Sequence, residues 1–532
     1  MSKALCNARC KAPCKSDKCQ KTLITQADIG RGNQYVISQP GLYCLCSDVT
    51  FTEGIAIEIA AANVTLDLGQ HTILGAASGV IAVLARENDE IVKNVVVRNG
   101  RIANLAPEDT TGMFGSALSF FLAQNVTIED VHVERGVRAA LFNNVRNLCV
   151  HNLHAQGMSE DGVVLLNVRN ASISDCSVSE CGSIAYSIGA ALGTVFPAAA
   201  RCVDVQIRAC SSTDTPNGIA AVNGSNIISI EKFACHNAAD AVTLFGGASE
   251  MAGITADVAA TVKHLSAKNV GNGLWIDSAQ NVCAEHIDVQ NFDRTALRLT
   301  NCANIQLVHA CVANGTEQHQ GIALGIVMSR QISCKHITAQ FCDAGVGAFD
   351  VTDLTLDAFH AIRCIVGFTL GRMAPDLPVR DSLLRNCVAL DCIDYGAAAL
   401  LAARVHLDSC ISNSNESDGS DGFGILLAFS ECCLVKHCKC NYNNFGFADN
   451  MGSNNAFVGN CAFANGVNYV RSPVPFTDIK TPLTANSAFE NVAIEKELGN
   501  RALRSVRSAN ERAWHTAAQK AAQRLHNLLT SQ

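Results

Sequence analysis

The sequence predicts an all-β solenoid, a parallel β-helix of about 16 rungs closed by a C-terminal α-helix. Three observations predict it. A short apolar phrase recurs at intervals of about 26 residues. Apolar or cysteine residues follow each phrase at fixed offsets. A second short apolar run, commonly introduced by glycine, comes later in many repeats.

The phrase reads Val64-Thr65-Leu66, Val95-Val96-Val97, Val126-Thr127-Ile128 and Ile305-Gln306-Leu307, often just after an asparagine. Its last apolar residue serves as an anchor. The series runs Leu66, Val97, Ile128, Val150, Ile173, Ile207, Ile230, Val262, Ala284, Leu307, Cys334, Leu356, Leu384, Leu407, Val435 and Val458. Three and five residues past the anchor the chain is apolar, cysteine or small, and a spacing of two puts both positions on one face of a strand. The second run appears as Gly162-Val163-Val164-Leu165, Gly273-Leu274-Trp275-Ile276 and Gly321-Ile322-Ala323-Leu324. Each turn of such a helix stacks on the last, because none hides its apolar interior alone. The same register sets Cys387, Cys410, Cys438 and Cys461 in one inward ladder, read as inert packing.

The elements follow in order. Residues 1–22 form a polar, Cys-rich tail with no apolar core of a classical signal peptide. Its Cys6, Cys10, Cys14 and Cys19 are spaced less favourably for zinc than paired C-x₂-C knuckles. Residues 23–62 are read as an N-terminal cap and 63–470 as the β-helix. Pro473, Pro475 and Pro482 mark 471–494 as an extended exit segment. Residues 495–532 read as an amphipathic helix whose stripe includes Leu503, Val506, Trp514, Leu525 and Leu528. Docking on the rod is the first reading of that stripe, and a homo-oligomer formed through the helix is the second.

The run Asn63-Val64-Thr65-Leu66-Asp67-Leu68-Gly69-Gln70-His71-Thr72-Ile73 resembles the opening rung of right-handed parallel β-helix repeat proteins of the pectin-lyase-like superfamily. The resemblance covers roughly residues 35–470. It implies a right-handed coil and leaves function open, since that superfamily contains polysaccharide lyases, hydrolases and epimerases beside tailspikes and adhesins.

Composition narrows the choices. The chain of 532 residues has 40 basic and 48 acidic residues, which disfavours a nucleic-acid partner. No apolar run reaches the ~20 residues of a membrane span. Twenty-six cysteines in a long chain, mostly at apolar repeat positions, point to free thiols in a reducing compartment, cytoplasmic or virion-associated. No cofactor is expected.

Candidate sites come from aligning the repeats. Two residues past the anchor, His264, His286, His309 and His336 occupy four consecutive rungs, a column read as a structural ladder or a metal site. Trp275 and Arg298 become outward neighbours with Asp277 nearby, a face suited either to a sugar or to a local cation–π pair. Glu160-Asp161, Asp350 with Asp353, and Asp418 with Asp421 are acidic pairs at corners, where Asp also serves turns. The polygalacturonase elements Asn-Thr-Asp, Asp-Asp, Gly-His-Gly and Arg-x-Lys are missing. The expectation is therefore a noncatalytic structural or interaction rod with a polysaccharide or protein partner. The alternative is a carbohydrate-active lyase, hydrolase or epimerase.

Overall fold

A computed structural model describes residues 21–471, apart from 30–33, 87–90, 106–115, 190–200, 223–224, 247, 250–253, 256–258, 316–320, 373–378, 416–421 and 451. The Cys-rich tail, the exit segment and the C-terminal helix expected from the sequence lie outside the described residues. The chain divides into two compact units, 1–270 and 271–532. Among the described residues no helix is long and apolar enough to cross a membrane.

Each unit is a parallel β-helix by its own register. In the first unit the anchors pair rung to rung: Leu66 with Val97, Val97 with Ile128, Ile128 with Val150, Val150 with Ile173, Ile173 with Ile207 and Ile207 with Ile230. The ladder also continues toward the amino terminus, where Thr22 pairs with Tyr43 and Tyr43 with Leu66. In the second unit Ala284, Leu307, Cys334, Leu356, Leu384, Leu407 and Val435 follow in the same way. All these anchors except Thr22 are buried. Each large aliphatic one contributes roughly 1.5–3 kcal/mol by leaving water.

The corners explain the repeat. In most coils the residues at anchor minus three, plus two and plus seven have positive φ, as in Asn304 (53°), His309 (57°) and Asn314 (60°) around Leu307. Asn, Asp and His tolerate this left-handed region better than other non-glycine residues, which is why asparagine so often precedes the phrase. The corner amides also stack. Asn94 donates to Asn63 at 2.7 Å, Asn125 to Asn94 at 2.7 Å, Asn147 to Asn125 at 2.8 Å and Asn170 to Asn147 at 3.1 Å. An amide both donates and accepts, so one column of asparagines satisfies itself from rung to rung.

The last strand of each coil in the second unit, its third strand, as in Ala344–Phe349, Val366–Gly371 and Tyr395–Leu400, carries a glycine column. A Cβ on Gly367 would lie 2.2 Å from the carbonyl oxygen of Gly396, and one on Gly345 would lie 2.5 Å from that of Gly367. Close backbone approach excludes a side chain there.

The last rung corrects the expected register. Val435 pairs with Phe457, so Phe457 and not Val458 takes the anchor position. A one-residue slip exchanges the two faces. Cys461 is consequently exposed and leaves the inward ladder, while Asn460 is fully buried in its place. The reason lies in the carbonyl groups at the corner. The thiols of Cys387, Cys410 and Cys438 donate to the anchor carbonyls of the preceding rung, Leu356, Leu384 and Leu407, at 3.4 to 3.6 Å. Asn460 does the same to Val435 at 2.9 Å, and its Oδ1 accepts from the backbone N–H of Cys438 at 2.8 Å. Its amide is a strong donor and a strong acceptor, whereas a thiol is weak in both roles.

Cys44 is disulfide-bonded, and the other described cysteines are free. Burial pushes the thiols of Cys302 and Cys433 up to about 11 and that of Cys392 to about 12, as expected for packing residues rather than nucleophiles.

Candidate functional site

The first unit turns a continuous polar face outward. Residues one and four past the anchor point away from the interior, so adjacent rungs superimpose Glu129, His151 and Ser174 in one column and His132, His154 and Ser177 in another. Thr127, Cys149, Ser172 and Gln206 form a column on the other side of the anchor. A groove of about 370 Å³ runs beside that column, with Asn125, Asn147 and Asn170 of the asparagine ladder along its edge.

The ionisable groups of this face contact one another both along a strand and across rungs. Arg101 pairs with Glu134, and Glu134 Oε1 lies 3.0 Å from His132 Nε2. The rings of His132 and His154 are 6.2 Å apart, and His154 Nδ1 lies 2.6 Å from Ser177 Oγ. His151 Nδ1 lies 3.1 Å from Ser174 Oγ and 3.3 Å from Asp175 Oδ2. The Arg101 guanidinium holds the Glu134 carboxyl below the usual glutamate range. It is therefore a fixed anion at neutral pH and a poor proton donor.

These contacts do not make a hydrolytic triad, which needs one imidazole to touch serine through one nitrogen and a carboxylate through the other. His151 meets Ser174 and Asp175 through the same Nδ1. The carboxylate of Glu134 goes to His132, while Ser177 meets His154. What the arrangement offers instead is a dense, fixed array of hydroxyl, amide and imidazole groups repeating every ~4.8 Å.

The residues singled out by sequence behave differently. His264, His286, His309 and His336 are exposed corner residues with φ of 54° to 58°. The rings of His286 and His309 stack at 5.0 Å and 8°, and those of His309 and His336 at 5.1 Å and 10°. Parallel rings face each other with their π surfaces, and their nitrogen lone pairs lie in the ring planes, so they do not converge on an ion between them. Among the described residues no group of three His, Cys, Asp or Glu side chains is placed to hold a metal. His286, His309 and His336 thus form a stacked corner ladder.

Trp275 and Arg298 do pair across rungs, and the guanidinium lies 4.7 Å from the indole centroid. Asp277 accepts from the Ser278 hydroxyl at 2.9 Å. Of the acidic pairs, Glu160 is bound to Arg138, and Asp161 accepts from the backbone N–H of Ile184 at 3.0 Å. Asp350 and Asp353 sit at positive-φ corners. Asp418 and Asp421 lie outside the described residues, as do Cys6, Cys10, Cys14 and Cys19. Sequence reading missed Arg101, His132, Glu134, His151, His154 and Ser177. The signal was available in the register, one, four and six residues past the anchor, but only stacking shows which side chains meet.

No protein-family model and no curated protein matches the chain. Among solved structures it is similar to the tailspike protein of E. coli bacteriophage HK620 in complex with pentasaccharide, at 11% identity over 79% of this chain and 74% of that one, TM-score 0.41. It is similar to the catalytic domain of GH87 alpha-1,3-glucanase D1069A in complex with tetrasaccharides, at 10% identity over 68% and 61%, TM-score 0.39. It is also similar to the pre-mature bacteriophage phi29 gene product 12, at 10% identity over 80% and 68%, TM-score 0.46. The chain spans less than two thirds of the glucanase domain. The class defined by its own register is the parallel β-helix with a polar outer face.

Proposed function

We propose that this protein is a noncatalytic β-helix that binds an extended glycan along the outer face of its first unit. The observation that carries this reading is the groove beside Asn125, Asn147 and Asn170, continuous on the same rungs with the His132, His154 and Ser177 column. Amides and hydroxyls at rung spacing suit a polymer that is itself a repeat of hydroxyl-bearing units. The lowered Glu134 pKa argues only against that carboxyl as the general acid of a glycosidase.

Trp275, Asp277 and Arg298 form a second polar face. There the guanidinium already occupies one surface of the indole, which favours the first-unit face for the ligand.

A glycan array followed by assays for new reducing ends and unsaturated uronate products tests the proposal. Binding without product release is expected. Ser172→Trp, which fills the groove from an exposed position, and Asn147→Gly, which keeps the corner conformation, should each weaken binding and leave the melting temperature almost unchanged. Undiminished affinity in both would remove this face. Loss of binding in Trp275→Ala alone would transfer the site to the second unit, and product formation would establish an enzyme.

A further inference from the structure

The second unit carries an apolar surface on the outside of its third strands. In Phe423–Ala428 a Cβ on Gly424 would lie 2.8 Å from the Cys440 sulfur inside the coil, so Phe423 turns outward. The alternation breaks at Gly424: Ile425 also faces inward, since its stacked neighbour Phe447 meets the anchor-position Phe457 ring at 6.1 Å, and beyond it Leu426 and Ala428 join Phe423 on the outer side. Stacking extends this pattern. Ile322, Ala344, Val366, Tyr395, Phe423 and Phe445 form one outward column over six rungs. Phe349, Ala398, Leu400 and Leu426 add to the same cluster. The rings of Tyr395 and Phe423 stack at 5.7 Å and those of Phe423 and Phe445 at 4.9 Å.

This outer surface is withdrawn from water: Phe349 is 1% exposed, Phe423 2% and Leu426 3%. Among the described residues the most extensive strand contacts are with the same coil and the coils next to it. At the edge of the surface Met328 and Leu401 are half exposed and occupy positive-φ corners, a costly place for apolar side chains. Asp343 and Asp394 precede the third strands and Asp350 follows one, so carboxylates border the surface on two sides.

We infer that the occupant is the chain's own C-terminal segment, with the stripe of Leu503, Val506, Trp514, Leu525 and Leu528 laid on this face. The described chain ends in Val467–Arg471, which pairs with the third strand Phe445–Asn450, so it leaves from the sheet that bears the surface. From there 472–494 reaches up to about 75 Å when extended. As a helix the stripe is about 38 Å long, and the six rungs span about 24 Å, so it crosses them all. The flanking Arg501, Arg504, Arg507, Arg512 and Lys520 match the bordering carboxylates in charge. An apolar helix face and an apolar sheet face on one chain cover each other at high effective concentration.

Zero-length carbodiimide cross-linking of the full-length protein tests this, using a mixture of light and heavy isotope chains to separate contacts within a chain from contacts between chains. Links from Lys520 to Asp343, Asp350 or Asp394 within one chain are expected. Links to these residues only between chains would make a second copy the occupant and overturn the inference, and links confined to another surface would overturn it equally. Hydroxyl-radical labelling gives an independent readout on the full chain. The double substitution Leu525→Asp and Leu528→Asp should raise labelling of Tyr395 and Phe423 several-fold. Unchanged labelling would show that the segment does not cover them.

Discussion

At the residue scale, the corners and the positions just after them decide which side chains the fold accepts. Cys410 is buried and donates to Leu384, whereas Ser409 is an exposed corner residue with φ of 56°. Cys410→Arg places an unpaired charge in the interior and should abolish cooperative folding at moderate temperature, while Ser409→Asn, which keeps the left-handed preference, should leave the melting temperature nearly unchanged. Similar small shifts in both would mean the register is misplaced. The corrected last rung makes a separate prediction. Mild alkylation of the native protein should modify Cys461 quickly and Cys387, Cys410 and Cys438 slowly, as read by mass spectrometry. Asn460→Leu should be destabilising by about 1–3 kcal/mol for each backbone group it orphans, and a loss below that range would show that solvent reaches the corner.

At the element scale, strands are held in place by their corners and by close backbone contacts. Gly367→Ala forces a methyl against the Gly396 carbonyl and should cost roughly 1–3 kcal/mol or more. An unchanged denaturation midpoint would show that the third strands separate easily. The polar face supplies a pH test. Folding lowers the Glu134 pKa, so the unfolded chain binds the proton more tightly and the stabilisation is complete above the unfolded value of about 4.3. It fades as pH falls through the lower folded value. Arg101→Gln should therefore reduce the melting temperature slightly at neutral pH, by an amount that shrinks as pH falls through the lowered folded value of Glu134. A difference that persists in acid would come from packing and not from the ion pair. Asp357 beside Arg385 and Asp381 beside Arg404 are lowered for the same reason, and each loses its contribution as pH falls through its own lowered value.

At the scale of the whole molecule, a solenoid's stability is a sum over rungs and their nearest-neighbour contacts. A defect should therefore be felt locally before it is felt globally. In Gly367→Ala, hydrogen exchange should accelerate first in the neighbouring third strands Ala344–Phe349 and Tyr395–Leu400, with the first unit's Val126–Ile128 ladder protected as before. Uniform acceleration along the chain would show that unfolding is global.

The amino-acid sequence by itself determined the architecture, because a period of about 26 residues and a period of two within each phrase leave only one way to bury the apolar positions. It placed Leu307 above Cys334 and Leu384 above Leu407, and it aligned Trp275 with Arg298. Only the tertiary structure decided three things. Asn460 takes the inward place of Cys461 and bonds Val435 and Cys438, partners that belong to the neighbouring rung and not to the local pattern. The histidine column proved to be stacked rings because ring orientation depends on the corner geometry. The polar face joins Glu134 to Arg101 and His132 to His154 because side chains about 20 residues or more apart in sequence stand one rung apart in space, ~4.8 Å.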